Sequence, residues 1–463
     1  MTESLSENFL SALRIAVGAD KVSTDPADCL PYGYDNSRRV ALPQALCFAT
    51  AHEHVVVLVR ACHQYRVPLT VRGCGTNTTG ATVPVAGGVV LSLERMNRIL
   101  KITPADRLAI VEPGVTNGEL QTAVAAQGFF WAPDPTSGPY STIGGNLACC
   151  AAGPRAVKYG TVRENTLGLT AVTGTGETLH TGVQTTKGVV GYDLTRLLLG
   201  SEGTLAIITE ATLKLTPLPT ARCSLRALYR DVSSAAQAVA AIMAQAETPS
   251  ALEFMDGSAL ALAREHGKLN LSVEAGALLL IEADGNADSI EHSAEALSRA
   301  ARNPGLLELK TAASAAEIET LWAARRALSP ALRTLAPKKI NEDVVVPVSR
   351  IPALIEGLQA LAARHSVRIV NFGHAGNGNI HVNLLGNPDD DAELVRMQRC
   401  LDEAFSLVLE LGGTLSGEHG IGLEKREFVG RELAPAALAL MRQIKQAFDP
   451  HGILNPGKFL PDQ

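Results

Sequence analysis

Four side chains in two glycine-rich segments have the types and spacing to do chemistry. Asn371–Leu385 reads NFGHAGNGNIHVNLL and carries His374 and His381, while Ser416–Arg426 reads SGEHGIGLEKR and carries the adjacent pair Glu418 and His419. In a strand beginning near Ile380, alternation puts His381 and Asn383 on one face and Ile380, Val382 and Leu384 on the other. The apolar set can enter a core while the polar pair faces a site. His374 precedes a Gly-Asn-Gly turn, so the chain can bend back and bring it beside His381. Two imidazoles and one carboxylate are a common Zn²⁺ ligand set that leaves a position for substrate. The spacing is not the HExxH of helical metalloproteases. A lone histidine is more often a hydrogen-bonded structural residue. Two in one turn–strand unit, with a Glu–His pair in a second loop, tip the balance toward a site, and the flanking glycines point to close backbone approach.

A second chemistry is written in the N-terminal half. Arg72–Gly80 reads RGCGTNTTG and follows a short strand, Pro68–Arg72. Glycines let the backbone approach a ligand, and successive N–H groups form an anion-binding nest suited to a pyrophosphate. The loop is not a Walker A motif, because Ala81 and Thr82 stand where Lys and Ser/Thr belong, and it is not GxGxxG either. Alone it is as well explained by a plain turn. Three further loops change that: WAPDPTSGPYSTIGGN (Trp131–Asn146), KYGTVREN (Lys158–Asn165) and GYDLTRLLLGSEGTLAIITE (Gly191–Glu210). Their number suggests convergence on one long, phosphate-bearing ligand.

The segment Trp322–Pro347, WAARRALSPALRTLAPKKINEDVVVP, is basic at its start. An arginine offers a bidentate fork to a carboxylate. A solvated basic helix face is the competing reading for Arg326, Arg333 and Lys338.

The elements that must position these groups alternate. Glu53–Tyr65 has helical apolar spacing, Val89–Leu93 and Ala109–Glu112 read as strands, and Asn117–Gln127 as a helix. Leu167–Val172 and Thr204–Thr209 are strand-like, and Pro217 and Pro219 mark a boundary. Beyond it, Ser224–Leu228, Ala277–Glu282, Val344–Pro347, Arg368–Phe372 and Ile380–Leu385 are predicted strands. Ser233–Gln245, Ala287–Arg302, Ile351–His365 and Asp391–Leu411 are predicted helices. The chain should therefore be α+β, with a first domain over residues 1–217 (core about 38–217), a ferredoxin-like second domain over 218–420, and a C-terminal helical segment over 421–463.

Composition narrows the function classes. At 463 residues the chain exceeds one hydrophobic core. The net charge of −6, with both signs interspersed, argues against a nucleic-acid partner but not against a small anion. The start MTESLSENFLSALRIAVGAD has no basic-then-apolar pattern of a secretory signal, and no stretch reaches the roughly 20 apolar residues of a membrane helix. Eight scattered cysteines without a CxxC fit a reduced cytoplasmic protein, with peripheral membrane attachment left open, and speak against an iron–sulfur cluster in this chain. Cys149 and Cys150 are read as two small buried side chains.

Taken together, these motifs resemble the FAD-linked oxidase superfamily of the vanillyl-alcohol oxidase type, and within it the D-lactate, glycolate and D-2-hydroxyglutarate dehydrogenases. The resemblance runs from about residue 40 to the end. It implies a two-subdomain FAD-binding domain and a cap domain that holds substrate. It implies that Arg72, Gly73, Cys74, Gly75, Thr76 and Asn77 wrap the FAD pyrophosphate. Asp134, Pro135, Ser137, Thr142, Gly144 and Asn146 would line the flavin and ribityl chain, and Glu202 and Ile207 the adenine end. Gly153 closes a run, Cys150-Ala151-Ala152-Gly153, where relatives often have Asn-Ala-Gly-Gly. The closing motif FDPHGILNPGKF would place Asn455 near the flavin ring. The loop 72–80 lacks the histidine used by relatives with covalent flavin, so FAD should be non-covalent. The resemblance further implies His374, His381 and Glu418 as ligands of a divalent metal, usually zinc, and His419 as general base. Arg325, Ser329, Lys339 and Asn383 would contact an anionic substrate.

The expected activity is oxidation of a D-2-hydroxy acid to the 2-keto acid, with proton removal assisted by the metal and hydride transfer to flavin N5. Histidine titrates near neutrality and suits the base role. Electrons would leave to a quinone, an electron-transfer protein or an iron–sulfur subunit. The alternatives are the FAD-binding subunit of a multi-subunit glycolate oxidase, an alcohol, aldehyde or sugar oxidase on the same scaffold, and a nucleotide-binding module without redox function. The oligomeric state, a homodimer included, stays open.

Overall fold

The computed structural model describes residues 4–267, 271–312 and 314–462. The chain divides into two compact units: Met1–Ala152, Gly160–Leu218 and Glu418–Gln463 form the first, and Gly153–Tyr159 with Pro219–Gly417 form the second. The chain changes units between Leu218 and Pro219. The brief excursion of Gly153–Tyr159 has no counterpart in the sequence reading.

The first unit holds a four-stranded sheet, a five-stranded sheet and a two-stranded pairing of Phe129–Phe130 with Thr216–Pro217. Ala45–Phe48, Val89–Ser92 and Leu69–Arg72 run parallel, with Val22–Ser23 antiparallel at the edge. The helix His52–Tyr65 connects two of them. It buries Val55, Leu58, Val59 and Cys62 on one face and ends at Arg66, whose φ of 53° stops helical propagation. This crossover delivers Arg72 to the end of its strand. The second sheet is antiparallel, in the order Ile99–Thr103, Leu108–Val111, Ala206–Lys214, Thr166–Thr173, Thr178–Gly182. The helix Asn117–Ala125 starts with a reciprocal Thr116/Glu119 capping box. The C-terminal segment joins this unit: Leu69 N–H donates to Ile453 O (2.8 Å) and Asn455 N–H to Leu69 O (2.8 Å), and Ile453 and Leu454 enter the core around Leu69 and Val89.

The second unit is one sheet covered by helices. Its strands, in chain order, are β1 (Ala221–Tyr229), β2 (Ala251–Asp256), β3 (Ala277–Gly285), β4 (Leu306–Thr311), β5 (Lys338–Val345), β6 (Arg368–His374) and β7 (Asn379–Gly386), arranged β4-β1-β3-β2-β6-β7-β5. Every named contact between neighbours is antiparallel. The helices Gly257–Gly267 and Ala315–Leu335 pack on one face through Leu260, Leu328 and Leu332 against Met255, Val370, Phe372 and Leu385. Val232–Met243, Ile351–His365 and Asp391–Glu410 cover the other. β2 has no alternating pattern because all six of its residues are buried, with helices on both faces. The α+β expectation, with a two-subdomain first domain and a ferredoxin-like second one, matches this architecture. No helix among the described residues is long and apolar enough to cross a membrane.

Candidate functional site

The first unit contains a cleft whose empty space, open solvent included, is about 630 Å³. Its wall includes Arg72, Gly73, Thr142, Gly144, Glu202 and Ile207, all six expected from the sequence. The backbone is drawn in tightly there. A β-carbon on Gly73 would overlap Thr142 Oγ1, and one on Gly144 would fall 2.6 Å from Pro113 Cβ, so neither position tolerates a side chain without movement. Thr142 is the N-cap of Ile143–Ala148, its hydroxyl accepting from Gly145 N–H at 3.4 Å.

Other expected residues shape the wall from behind. Asn77 Oδ1 accepts from Thr79 N–H (2.8 Å) and Ala81 N–H (3.2 Å), and Nδ2 donates to the His419 carbonyl (3.1 Å), so its side chain organises the 72–80 loop. Gly75 takes φ +67°, where a β-carbon would strike Arg72. Arg72 donates to Tyr34 O (2.9 Å), and Asn36 donates to the Thr76 carbonyl (3.4 Å). Cys74 is exposed. Asn146 donates to Ser141 Oγ (3.0 Å) and accepts from Asn117 (3.2 Å). The Pro135 and Ser137 carbonyls close the turn after Asp134 by accepting from Gly138 and Ser141 N–H. Asn455 donates to Ala81 O and Glu202 O and accepts from Lys458, which gives it a bracing role away from the cleft lining. Gly153 belongs to the second unit.

Lys158–Asn165 does not converge on the cleft as the sequence suggested. Lys158 and Tyr159 both bind Asp284 Oδ1 (2.6 and 2.8 Å) within the second unit, and Asn165 donates to Thr161 O. Pro113, Cys149 and Ser201 line the cleft without having been singled out for it. Ser201 could have been found from the GSEG motif. Pro113 and Cys149 carry no local signal. Cys149 is a free thiol that burial pushes above its usual range.

Glu202 is 4 % exposed and accepts from Ile421 N–H (2.5 Å) and Gly422 N–H (2.8 Å), with φ +53°. Burial pushes its carboxyl up to about 7, against the pull of these two N–H groups and of Lys458 and Lys425. It ties the 418–422 loop, and with it His419, to the first unit.

The second unit holds a buried polar cluster on the sheet face covered by Ala315–Leu335. Glu253, on β2, is opposite His374, on β6. Glu253 Oε1 is 2.5 Å from His374 Nδ1 and Oε2 accepts from Arg325 Nε at 2.7 Å. Burial raises the Glu253 carboxyl, but His374 and Arg325 beside it more than offset this and hold it below the ordinary range. His374 Nε2 lies 3.4 Å from His381 Nε2, the rings meeting edge to face at 5.1 Å. The Arg325 guanidinium lies over the Phe372 ring at 4.6 Å, and among the described residues its hydrogen-bond partner is Glu253.

His381 and Asn383 share this face, as alternation requires. Asn383 is fully buried. Its amide donates to Val370 O and His381 O, while Oδ1 has no hydrogen-bond partner among the described residues. Lys339 lies on β5 in register with Leu385, two residues from Asn341, the partner of Asn383, and so on the same face. Ser329 sits on the Arg325 helix, and its side chain is outside the described residues. Asp343, opposite His381, accepts from Gly417 N–H at 2.8 Å and so anchors the end of the second unit. Glu418 follows Gly417 by one peptide bond and begins the part of the chain that belongs to the first unit. Glu253 is the member of this cluster that the sequence did not reveal.

Comparison with known families decides the larger question. Residues 43–182 match the FAD binding domain, and residues 218–459 match the C-terminal domain of FAD linked oxidases. The chain belongs to the FAD-linked oxidase family. It is 38% identical over 442 residues to the glycolate oxidase subunit GlcD of Bacillus subtilis (strain 168), covering 95% of this chain and 94% of that one. It is 34% identical to the D-lactate dehydrogenase of Anaerostipes hadrus (99% and 97% covered), and 32% identical to the D-2-hydroxyglutarate dehydrogenase of Stutzerimonas stutzeri (strain A1501; 97% and 98%). Among solved structures, p-cresol methylhydroxylase with substrate bound superposes with a TM-score of 0.81 at 17% identity, covering 98% of this chain and 97% of that one, which shows the shared fold. This FAD-linked oxidase is therefore an FAD-dependent oxidoreductase.

Proposed function

We propose that this FAD-linked oxidase converts a D-2-hydroxy acid, of the glycolate, D-lactate or D-2-hydroxyglutarate class, into the 2-keto acid, using non-covalent FAD and a divalent cation, most simply Zn²⁺. The observation that carries the reading is the buried cluster of Arg325, His374 and His381 on one sheet face. It joins a carboxylate-binding fork to a pair of imidazole nitrogens 3.4 Å apart. Such a pair suits a shared cation, and Glu418, the ligand that the sequence motif supplies, would complete a two-imidazole, one-carboxylate donor set of the kind zinc takes.

In this reading Arg325 grips the substrate carboxylate through its terminal nitrogens, Nε being committed to Glu253. Lys339 adds positive charge on the same face, and the unpartnered Asn383 Oδ1 accepts a hydrogen bond from the substrate. His374, His381 and Glu418 would hold the cation, whose Lewis acidity makes the 2-hydroxyl easier to deprotonate. His419 takes the hydroxyl proton as the C2–O bond becomes a carbonyl. Bound FAD supplies the acceptor for the C2 hydrogen and its electron pair. Arg72, Gly73, Thr142, Gly144, Glu202 and Ile207 would hold that cofactor.

A second reading, a flavin-bearing subunit of a larger oxidase, is favoured by the subunit name of the Bacillus subtilis relative. The two readings separate when the isolated chain is assayed with an artificial electron acceptor. The test of the chemistry is His419→Ala: FAD content stays at the wild-type level and turnover collapses. Undiminished turnover would remove His419 from the base role.

A further inference from the structure

We infer that Glu253 is a positioning residue that couples the cation site to the carboxylate clamp, one oxygen serving each. The inference rests on the functional reading above and adds a residue and a linkage to it. Glu253 has no solvent exposure, and its two oxygens are divided between His374 Nδ1 (2.5 Å) and Arg325 Nε (2.7 Å).

The first contact decides which imidazole nitrogen faces the site. With Nδ1–H donated to a carboxylate, His374 presents the unprotonated Nε2, which is the nitrogen that lies 3.4 Å from His381 Nε2. Partners of this kind fix the tautomer and ring orientation of a ligand and raise its basicity, and losing one typically weakens metal binding about 10–100-fold. The second contact fixes the rotation of Arg325. Guanidinium is planar, so holding Nε while Phe372 supports the plane at 4.6 Å sets the direction of the terminal fork.

The two contacts share one rigid, fully buried carboxylate on a central strand. Polarising His374 by a cation draws negative charge toward Oε1 and alters what Oε2 offers Arg325. Neutralising Arg325 with a bound carboxylate acts in the reverse direction. Such linkage is reciprocal: if the clamp senses the cation, cation affinity must sense the clamp. Among the described residues Arg325 makes no hydrogen bond to either imidazole, which leaves Glu253 as the direct bridge between them.

The test is Zn²⁺ binding by calorimetry to metal-stripped, FAD-loaded wild type, Glu253→Gln, Arg325→Lys and the double variant, with the flavin spectrum and thermal melt as fold controls. Glu253→Gln should bind Zn²⁺ about 10–100-fold more weakly with FAD content unchanged. Arg325→Lys, which frees Oε2 and leaves more of the Glu253 charge for His374, should tighten Zn²⁺ binding severalfold in the wild-type background and have no further effect once Glu253 is Gln. Wild-type affinity in Glu253→Gln, or single effects that simply multiply in the double variant, would overturn the coupling while leaving the functional reading intact. A wild-type protein that binds no divalent cation would instead overturn the reading itself, and the inference with it. If Glu253→Gln does not accumulate folded, Arg325→Lys alone decides, because unchanged Zn²⁺ affinity there contradicts the bridge.

Discussion

Gly73 and Thr142 pack so closely that a β-carbon on the glycine would overlap the threonine hydroxyl. One residue ends the turn out of the strand Leu69–Arg72, the other caps the helix Ile143–Ala148, and both line the same cleft. The two glycine-rich motifs are thus two walls of one cleft.

Gly73→Ala follows directly. Its methyl must displace a hydroxyl already engaged with Gly145 N–H. Overpacking of this kind costs about 1–3 kcal/mol. FAD retention should fall by about tenfold or more. The check is the flavin-to-protein absorbance ratio after gel filtration, with thermal melts in added FAD. Full retention would mean that this wall does not touch the cofactor.

Glu202 sets a pH dependence. Its folded pKa of about 7 lies above the unfolded value of about 4.3, so the native state binds more protons between those limits. Stability contributed by the protonated form is then lost as pH rises through that window. The full span corresponds to about 4 kcal/mol. Melting temperature should decline from pH 5 to pH 7.5 in the wild type and decline less in Glu202→Gln. Parallel curves would show that Glu202 is charged throughout.

His374→Ala and His381→Ala should each lose bound divalent cation while keeping FAD, because both residues belong to the second unit and the cleft residues to the first. Elemental analysis and the flavin spectrum on one preparation test this. Equal metal content in wild type and both variants would refute the ligand assignment.

Arg325→Lys replaces a planar fork by a point charge and gives up the Nε bond to Glu253. Hydrogen bonds to charged groups contribute about 1.5–3 kcal/mol. The KM for the hydroxy acid should rise about ten- to a hundredfold, with a smaller change in kcat. An unchanged KM would place the carboxylate elsewhere.

Much of this was legible because the relevant residues announce themselves locally. Gly73, Gly144 and Glu202 lie in short motifs whose glycines allow close approach, and His381 was legible because polar and apolar residues alternate along its strand, although all eight of its residues are buried. Glu253 escaped because it sits in ALEFMD, a strand buried on both faces, where a carboxylate has no periodic signal and its two partners come from distant positions. The backbone partners of the Asn77 and Asn455 side chains are brought near by the tertiary fold and are not legible in their motifs. The crossing of Gly153–Tyr159 into the second unit depends on Lys158 and Tyr159 finding Asp284, a long-range pairing that no local pattern encodes.

The most direct measurement is anaerobic titration of the flavin absorbance with the D- and L-forms of lactate and 2-hydroxyglutarate and with glycolate, before and after chelation of divalent metal. The account predicts that glycolate or a D-acid bleaches the flavin, that the L-acids do not, and that chelation abolishes the bleaching until metal is restored. A flavin that no 2-hydroxy acid reduces, or that is reduced equally well after chelation, would contradict it.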